Sequence, residues 1–151
     1  MPLKDLSAVA FVGLINMSGP VFAQTNATGA QVVHQLNTDP SADQTLSWEE
    51  VRPAAEARFK QLDVDHDGTL SQQEAAKAGI TSSEFDQANT TGTHTLSQQE
   101  YLDLVQARFK AANGDPNTDQ TLSSQELDSA AGQKLVKLLD IKGSPAHEGT
   151  R

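Results

Sequence analysis

The 151-residue chain has no cysteine, which excludes disulfides, thiolate catalysis and soft-metal thiolate sites. Aromatic residues are scarce, with one Trp, one Tyr and five Phe, so any core is modest. Basic residues are also few: 11 Lys and Arg stand against 20 Asp and Glu, a net charge of -9. That balance argues against nucleic acid and anionic membranes as partners and suits a cation binder. No apolar run is long enough to span a bilayer. There is no glycine-rich phosphate loop and no G-x-S-x-G, and His34, His66, His94 and His147 lack H-x3-H or H-E-x-x-H spacing. Nothing reads as an enzyme.

What the chain does have is the stretch Asp63–Glu74, D-V-D-H-D-G-T-L-S-Q-Q-E. Carboxylates stand at places one, three, five and twelve, with glycine at place six, the spacing of an EF-hand calcium loop. Ca²⁺ takes six to eight hard oxygens, and alternate residues of a tightly curled loop aim at one centre. Asp63, Asp65 and Asp67 would each supply a carboxylate oxygen, and Thr69 its backbone carbonyl. Ser71 would act directly or through water, and Glu74 would close the sphere with two oxygens. Gly68 suits the sharp turn.

The string T-L-S-x-x-E occurs four times, at Thr45–Glu50, Thr69–Glu74, Thr95–Glu100 and Thr121–Glu126. With each glutamate at place twelve, four loops follow: 39–50, 63–74, 89–100 and 115–126. Each carries leucine at place eight (Leu46, Leu70, Leu96, Leu122), the position that bridges to a partner loop and enters the core. Loop 3 has Asn89, Thr91 and Thr93 in place of carboxylates and His94 in place of glycine. It is expected to keep its shape and bind metal weakly or not at all. Loops 1 and 4 offer Asp39, Asp43, Thr45 and Glu50, and Asp115, Asn117, Asp119, Thr121 and Glu126. Gln44 and Gln120 stand where glycine belongs, at a cost of about 1 kcal/mol for a positive φ. Val33 and Leu36, like Phe109 and Ala112, have the spacing of an entering helix to Asn37 and Asn113. That spacing gives a fourteen-residue alternative to the twelve-residue register.

The segments between loops show helical periodicity, with Val51, Ala54, Ala55, Phe59 and Leu62 in one and Leu102, Val105, Phe109 and Ala112 in another. Pro53 is placed in a first helical turn. Gly79 and the capping box Thr81-Ser82-Ser83-Glu84 break the middle segment, which brings loops 2 and 3 together and leaves loops 1 and 4 to pair. A last helix carries Leu127, Leu135, Val136, Leu138, Leu139 and Ile141.

At the N-terminus, Lys4, the apolar run Ala8–Ile15 and Val21-Phe22-Ala23 read as a secretory signal, residues 1–23, cut after Ala23. Asp5 weakens the charged region, and a buried helix is the competing reading. Residues 24–30 read as a flexible leader, 31–142 as the folded domain and 143–151 as a flexible tail. Such a chain is periplasmic or secreted.

The four loops, the leader and the run Gln99–Pro116, Q-E-Y-L-D-L-V-Q-A-R-F-K-A-A-N-G-D-P, resemble the bacterial periplasmic EF-hand proteins, and within them the lanmodulin-like family. The ending Ser129–Leu139 is similar to that family's last helix. The resemblance implies an all-α fold, a compact four-EF-hand helical array with short two-residue bridges between paired loops, and folding coupled to metal. Lanmodulin-type loops have proline second and aspartate ninth, whereas loop 2 has Val64 second and the ninth residues are Ser47, Ser71, Ser97 and Ser123.

Three functional readings follow. The first is an exported Ca²⁺ binder with one complete site, acting as buffer, sensor or structural binder. The second is a lanthanide-binding member of the family. The third is a metal-ordered module that docks a protein partner.

Overall fold

The computed structural model describes residues 27–38, 44–114 and 120–142. The segments expected to be a secretory signal (1–23) and a flexible tail (143–151), and residues 24–26 of the expected leader, lie outside the described residues.

Each T-L-S triplet is a three-residue strand followed at once by a helix. The strands are β1 (Thr45–Ser47), β2 (Thr69–Ser71), β3 (Thr95–Ser97) and β4 (Thr121–Ser123). β1 pairs antiparallel with β4 and β2 with β3, placing Leu46 opposite Leu122 and Leu70 opposite Leu96. All four leucines are fully buried. The pairing has a physical cause. A serine that caps a helix has extended backbone before it, and the ladder satisfies polar groups that burial of the leucine takes out of water.

This finding corrects the expected class. Among the described residues the protein is mixed α/β, 62% helix and 12% strand, with two small sheets and seven helices. It is not an all-α array with two-residue bridges. The helices are α1 (Gly29–Leu36), α2 (Trp48–Leu62), α3 (Gln72–Lys77), α4 (Ser82–Ala88), α5 (Gln98–Ala112), α6 (Ser124–Asp128) and α7 (Ala130–Leu139). α2 and α5 are each shared: one leads from β1 to the loop before β2, the other from β3 to the loop before β4.

Three other boundaries differ from the sequence reading. α1 begins inside the expected leader, because Thr28 and Gln31 form a capping box and Ala27 is fully buried. Gly29 also packs so closely on α6 that a Cβ there would overlap the Ser124 carbonyl. α2 starts at Trp48, so Pro53 is its sixth residue and not in the first turn. Pro53 gives the Glu49 carbonyl no helical donor, but it is exposed and water can serve. The last helix is two, because the Ser129 hydroxyl donates to the Glu126 carbonyl (2.6 Å) and accepts from Gly132 N–H (3.0 Å). Gly79, with φ 74, and the Thr81 capping box do separate α3 from α4.

The core lies where α2 and α5 cross and α7 packs against α5. Val51, Ala55, Phe59 and Leu62 of α2 are buried on one face, as are Tyr101, Val105, Phe109 and Ala112 of α5. Phe59 meets Tyr101 at a ring separation of 5.6 Å, and Trp48 meets Phe109 edge-on at 5.9 Å. Arg108 clamps the outside, bonding Glu84 (2.9 Å), the Gly79 carbonyl (3.4 Å) and the Lys134 carbonyl (3.2 Å).

Candidate metal centre

Loop 2 begins where α2 ends. Asp63 caps that helix, its N–H bonded to the Phe59 carbonyl at 2.9 Å. Its buried carboxylate then organises the curl, with Oδ1 accepting Asp67 N–H and Oδ2 accepting Gly68 N–H, both at 3.1 Å. Asp65 Oδ1 accepts Asp67 N–H at 3.4 Å, and Asp67 Oδ1 accepts the N–H (2.7 Å) and hydroxyl (2.8 Å) of Thr69. These are the local turns that short carboxylate side chains favour. The curl demands positive φ twice, at His66 (58°) and Gly68 (83°). Space around Gly68 is open, so its backbone freedom is what the site uses. As a result, one carboxylate oxygen from each of Asp63, Asp65 and Asp67 lies within 4.8 Å of the others. These three aspartates could hold a metal ion.

Glu74 approaches from the start of α3 and is likewise buried. Its Oε1 accepts Val64 N–H (3.0 Å), and its Oε2 accepts Ser71 N–H (2.9 Å) and the Ser71 hydroxyl (2.7 Å). Those bonds, led by the Ser71 N–H, hold its carboxyl below the ordinary 4.5. Ser71 is the N-cap of α3, and its hydroxyl donates to Glu74. The same S-x-x-E box recurs at Ser47/Glu50, Ser97/Glu100 and Ser123/Glu126. The signal was readable, since a serine followed three residues later by glutamate is a capping box.

Loop 3 repeats the frame of loop 2 without the aspartates of places one, three and five. Asn89 caps α4, and its Oδ1 accepts Thr93 N–H at 3.2 Å, as Asp63 accepts Asp67. Positive φ again falls at places four and six, but the glycine has moved: Gly92 (70°) precedes His94 (61°). Glu100 Oε1 accepts from Thr91 N–H (3.0 Å), the Thr91 hydroxyl (2.9 Å) and the Thr90 hydroxyl (3.2 Å). Its Oε2 accepts from Ser97 N–H and hydroxyl, both at 2.9 Å. Burial alone would raise this carboxyl. The Ser97 and Thr91 N–H groups and their hydroxyls outweigh it and bring the group from 4.5 to about 2.

Loops 1 and 4 are longer. α1 ends at Leu36 with Asn37 as its C-cap, and α5 ends at Ala112 with Asn113 as its C-cap, the place Asp63 holds in loop 2. Counted from those caps to Glu50 and Glu126, each loop has 50 − 37 + 1 = 14 residues, as 126 − 113 + 1 also gives. Glu50 Oε1 accepts Thr38 N–H at 3.0 Å, matching the bond from Glu74 to Val64 one residue past the cap. Asn37 and Asn113 thus stand at the helix-end place that Asp63 holds in loop 2. Asn37 and Asn113 donate their amides to the carbonyls of Thr45 and Thr121, each at 3.0 Å. Gln44 and Gln120 carry the expected positive φ, 58° and 56°. Asp39, Asp43, Asp115, Asn117 and Asp119 lie outside the described residues.

Neither the scan against protein-family models nor the search of curated proteins finds a match to this chain. Among the described residues, no helix is long and apolar enough to cross a membrane.

Proposed function

We propose that the protein is an exported calcium binder whose principal site is loop 2, an EF-hand-type loop. The observation that carries this reading is the convergence of three carboxylate oxygens within 4.8 Å. Ca²⁺ bonds oxygen at 2.3–2.6 Å, so oxygens facing each other across it stand roughly 5 Å apart. The cluster fits within that sphere. Its donors are all oxygen, which suits a hard cation and offers nothing to a thiophilic one. Asp63, Asp65 and Asp67 would hold the ion, with the Thr69 carbonyl, Ser71 and Glu74 completing the set. Among the described residues, Asp65 Oδ2 and Asp67 Oδ2 accept no hydrogen bond and remain available to it.

Four carboxylates at one loop repel one another without a cation. Binding stabilises the folded state by about 2.7 kcal/mol at a hundredfold excess over Kd. A protein facing external calcium works with a Kd of roughly 10⁻⁴ M or weaker. Loops 1 and 4 rank as secondary sites, and loop 3 is expected to bind metal weakly or not at all.

Calorimetric titration with Ca²⁺, and with La³⁺ as a second arm, tests the site and its selectivity. Asp63→Ala and Glu74→Ala abolish the tightest binding; Asp65→Asn, at an exposed carboxylate, weakens it while leaving the fold intact. An unchanged tightest affinity in all three sinks the assignment. Export is tested by mass spectrometry of the mature chain, whose first residue should be Gln24.

A further inference from the structure

Loop 3 is closed by its own hydroxyl groups in the places where loop 2 offers carboxylates. At place three, Asp65 of loop 2 is matched by Thr91, whose hydroxyl reaches the place-twelve carboxylate, Glu100 Oε1, at 2.9 Å. At place five, Asp67 is matched by Thr93, whose hydroxyl reaches the place-seven carbonyl of Thr95 at 3.1 Å. The two hydroxyls are themselves 3.2 Å apart. A cation in an EF-hand-type loop ties places three, five, seven and twelve to one point. In loop 3, the Thr91 O–H links places three and twelve and the Thr93 O–H links places five and seven. Aspartates cannot do this, because an ionised carboxylate only accepts.

The closed loop abuts the candidate site through one ladder. β3 opposes β2 residue for residue, with Ser97 facing Thr69 and Thr95 facing Ser71. Thr69 carries the place-seven carbonyl of loop 2, and Ser71 caps the helix that bears Glu74. We propose that Thr91 and Thr93 are positioning residues: they hold loop 3 shut without metal, and through β3 and β2 they preorganise loop 2 for its ion. This rests on the reading of loop 2 as a calcium site. A loop that needs no ion of its own keeps its partner strand ordered at any calcium level, so less ordering remains for binding to accomplish.

The test is a Ca²⁺ titration of the full chain and of Thr91→Val, Thr91→Ser and Thr93→Val, with metal-free melting of each. Valine keeps the shape of threonine and loses the hydroxyl; serine keeps the hydroxyl. The expected result is one loop 2 ion in every variant. Its affinity falls roughly fivefold or more in the valine variants, in the range of ordinary site-to-site coupling, and is restored in Thr91→Ser. Metal-free melting follows the same order. Valine variants that bind like the wild type, or serine and valine variants that are equally weakened, overturn the proposal. If the wild type binds no Ca²⁺, the calcium reading fails on its own. The self-closure is then judged by melting, where Thr91→Val must still lose stability and Thr91→Ser regain it; equal melting temperatures overturn it.

Discussion

Replacing Glu100 by glutamine gives the most direct measure of what loop 3 contributes. The carboxylate takes five hydrogen bonds, from Thr90, Thr91 twice and Ser97 twice. Glutamine keeps one acceptor oxygen and turns an NH₂ group toward donors, so at least two bonds are lost. A carboxyl brought from 4.5 to about 2 contributes at most about 3 kcal/mol at neutral pH. Thr90 and Thr91 are exposed to solvent, and screening there reduces the working figure to roughly 1.5–2 kcal/mol.

The sign follows from the direction of the shift. The folded-state value lies below the unfolded one, so the contribution is complete above pH 4.5 and disappears as pH falls toward about 2. Glutamine does not titrate. Urea unfolding of both proteins in metal-free buffer, followed by far-UV circular dichroism, should therefore show a gap at neutral pH that closes across that window. A gap independent of pH, or no gap at neutral pH, refutes the reasoning.

Gly29→Ala should lower stability by about 1–3 kcal/mol, because its Cβ overlaps the Ser124 carbonyl and α1 must shift off α6; a thermal melt reads it. Tyr101→Phe should leave stability within about 1 kcal/mol of the wild type or raise it, because the buried hydroxyl has no hydrogen-bond partner among the described residues. Burial, against the weaker opposing pull of Arg58 and Arg108, pushes that phenol up to about 12, so its ultraviolet titration should lie well above that of a free tyrosine. Gln120→Gly should stabilise by up to about 1 kcal/mol, since its φ of 56° strains a residue with a Cβ; unchanged or reduced stability in urea would show that the side chain offsets the strain.

The fold was readable where a pattern had one physical meaning. Leucine at a fixed place in four loops can only be a repeated inward position, and the structure buries all four. Gly79 followed by a capping box can only end one helix and begin another. The reading failed where a pattern had two meanings. T-L-S-x-x-E reads as a repeat whose leucine bridges to a partner loop and whose glutamate closes an ion site, while the same letters also specify a strand ending in a helix cap. Taken that way, they place three extended residues before each cap, start α2 and α5 three residues early, and move the class from all-α to mixed α/β. Pro53 was misplaced for the same reason.

The candidate site divides along similar lines. Spacing alone brought Asp63, Asp65 and Asp67 together, because alternate residues of a tight curl converge whatever surrounds them. Spacing also showed that loop 3 had lost its charges, but not what replaced them. Threonine at places three and five is silent in sequence, since a hydroxyl acquires meaning only from the acceptor within its reach. Glu100 supplies that acceptor at one place and the Thr95 carbonyl at the other. Counting carboxylates therefore ranks loop 3 as the poorest of the four, whereas its hydroxyl bonds tie together places at which loop 2 holds carboxylates. A loop that has lost its ligands and a loop that has exchanged them for internal bonds differ in stability without metal, and Thr91→Val separates the two.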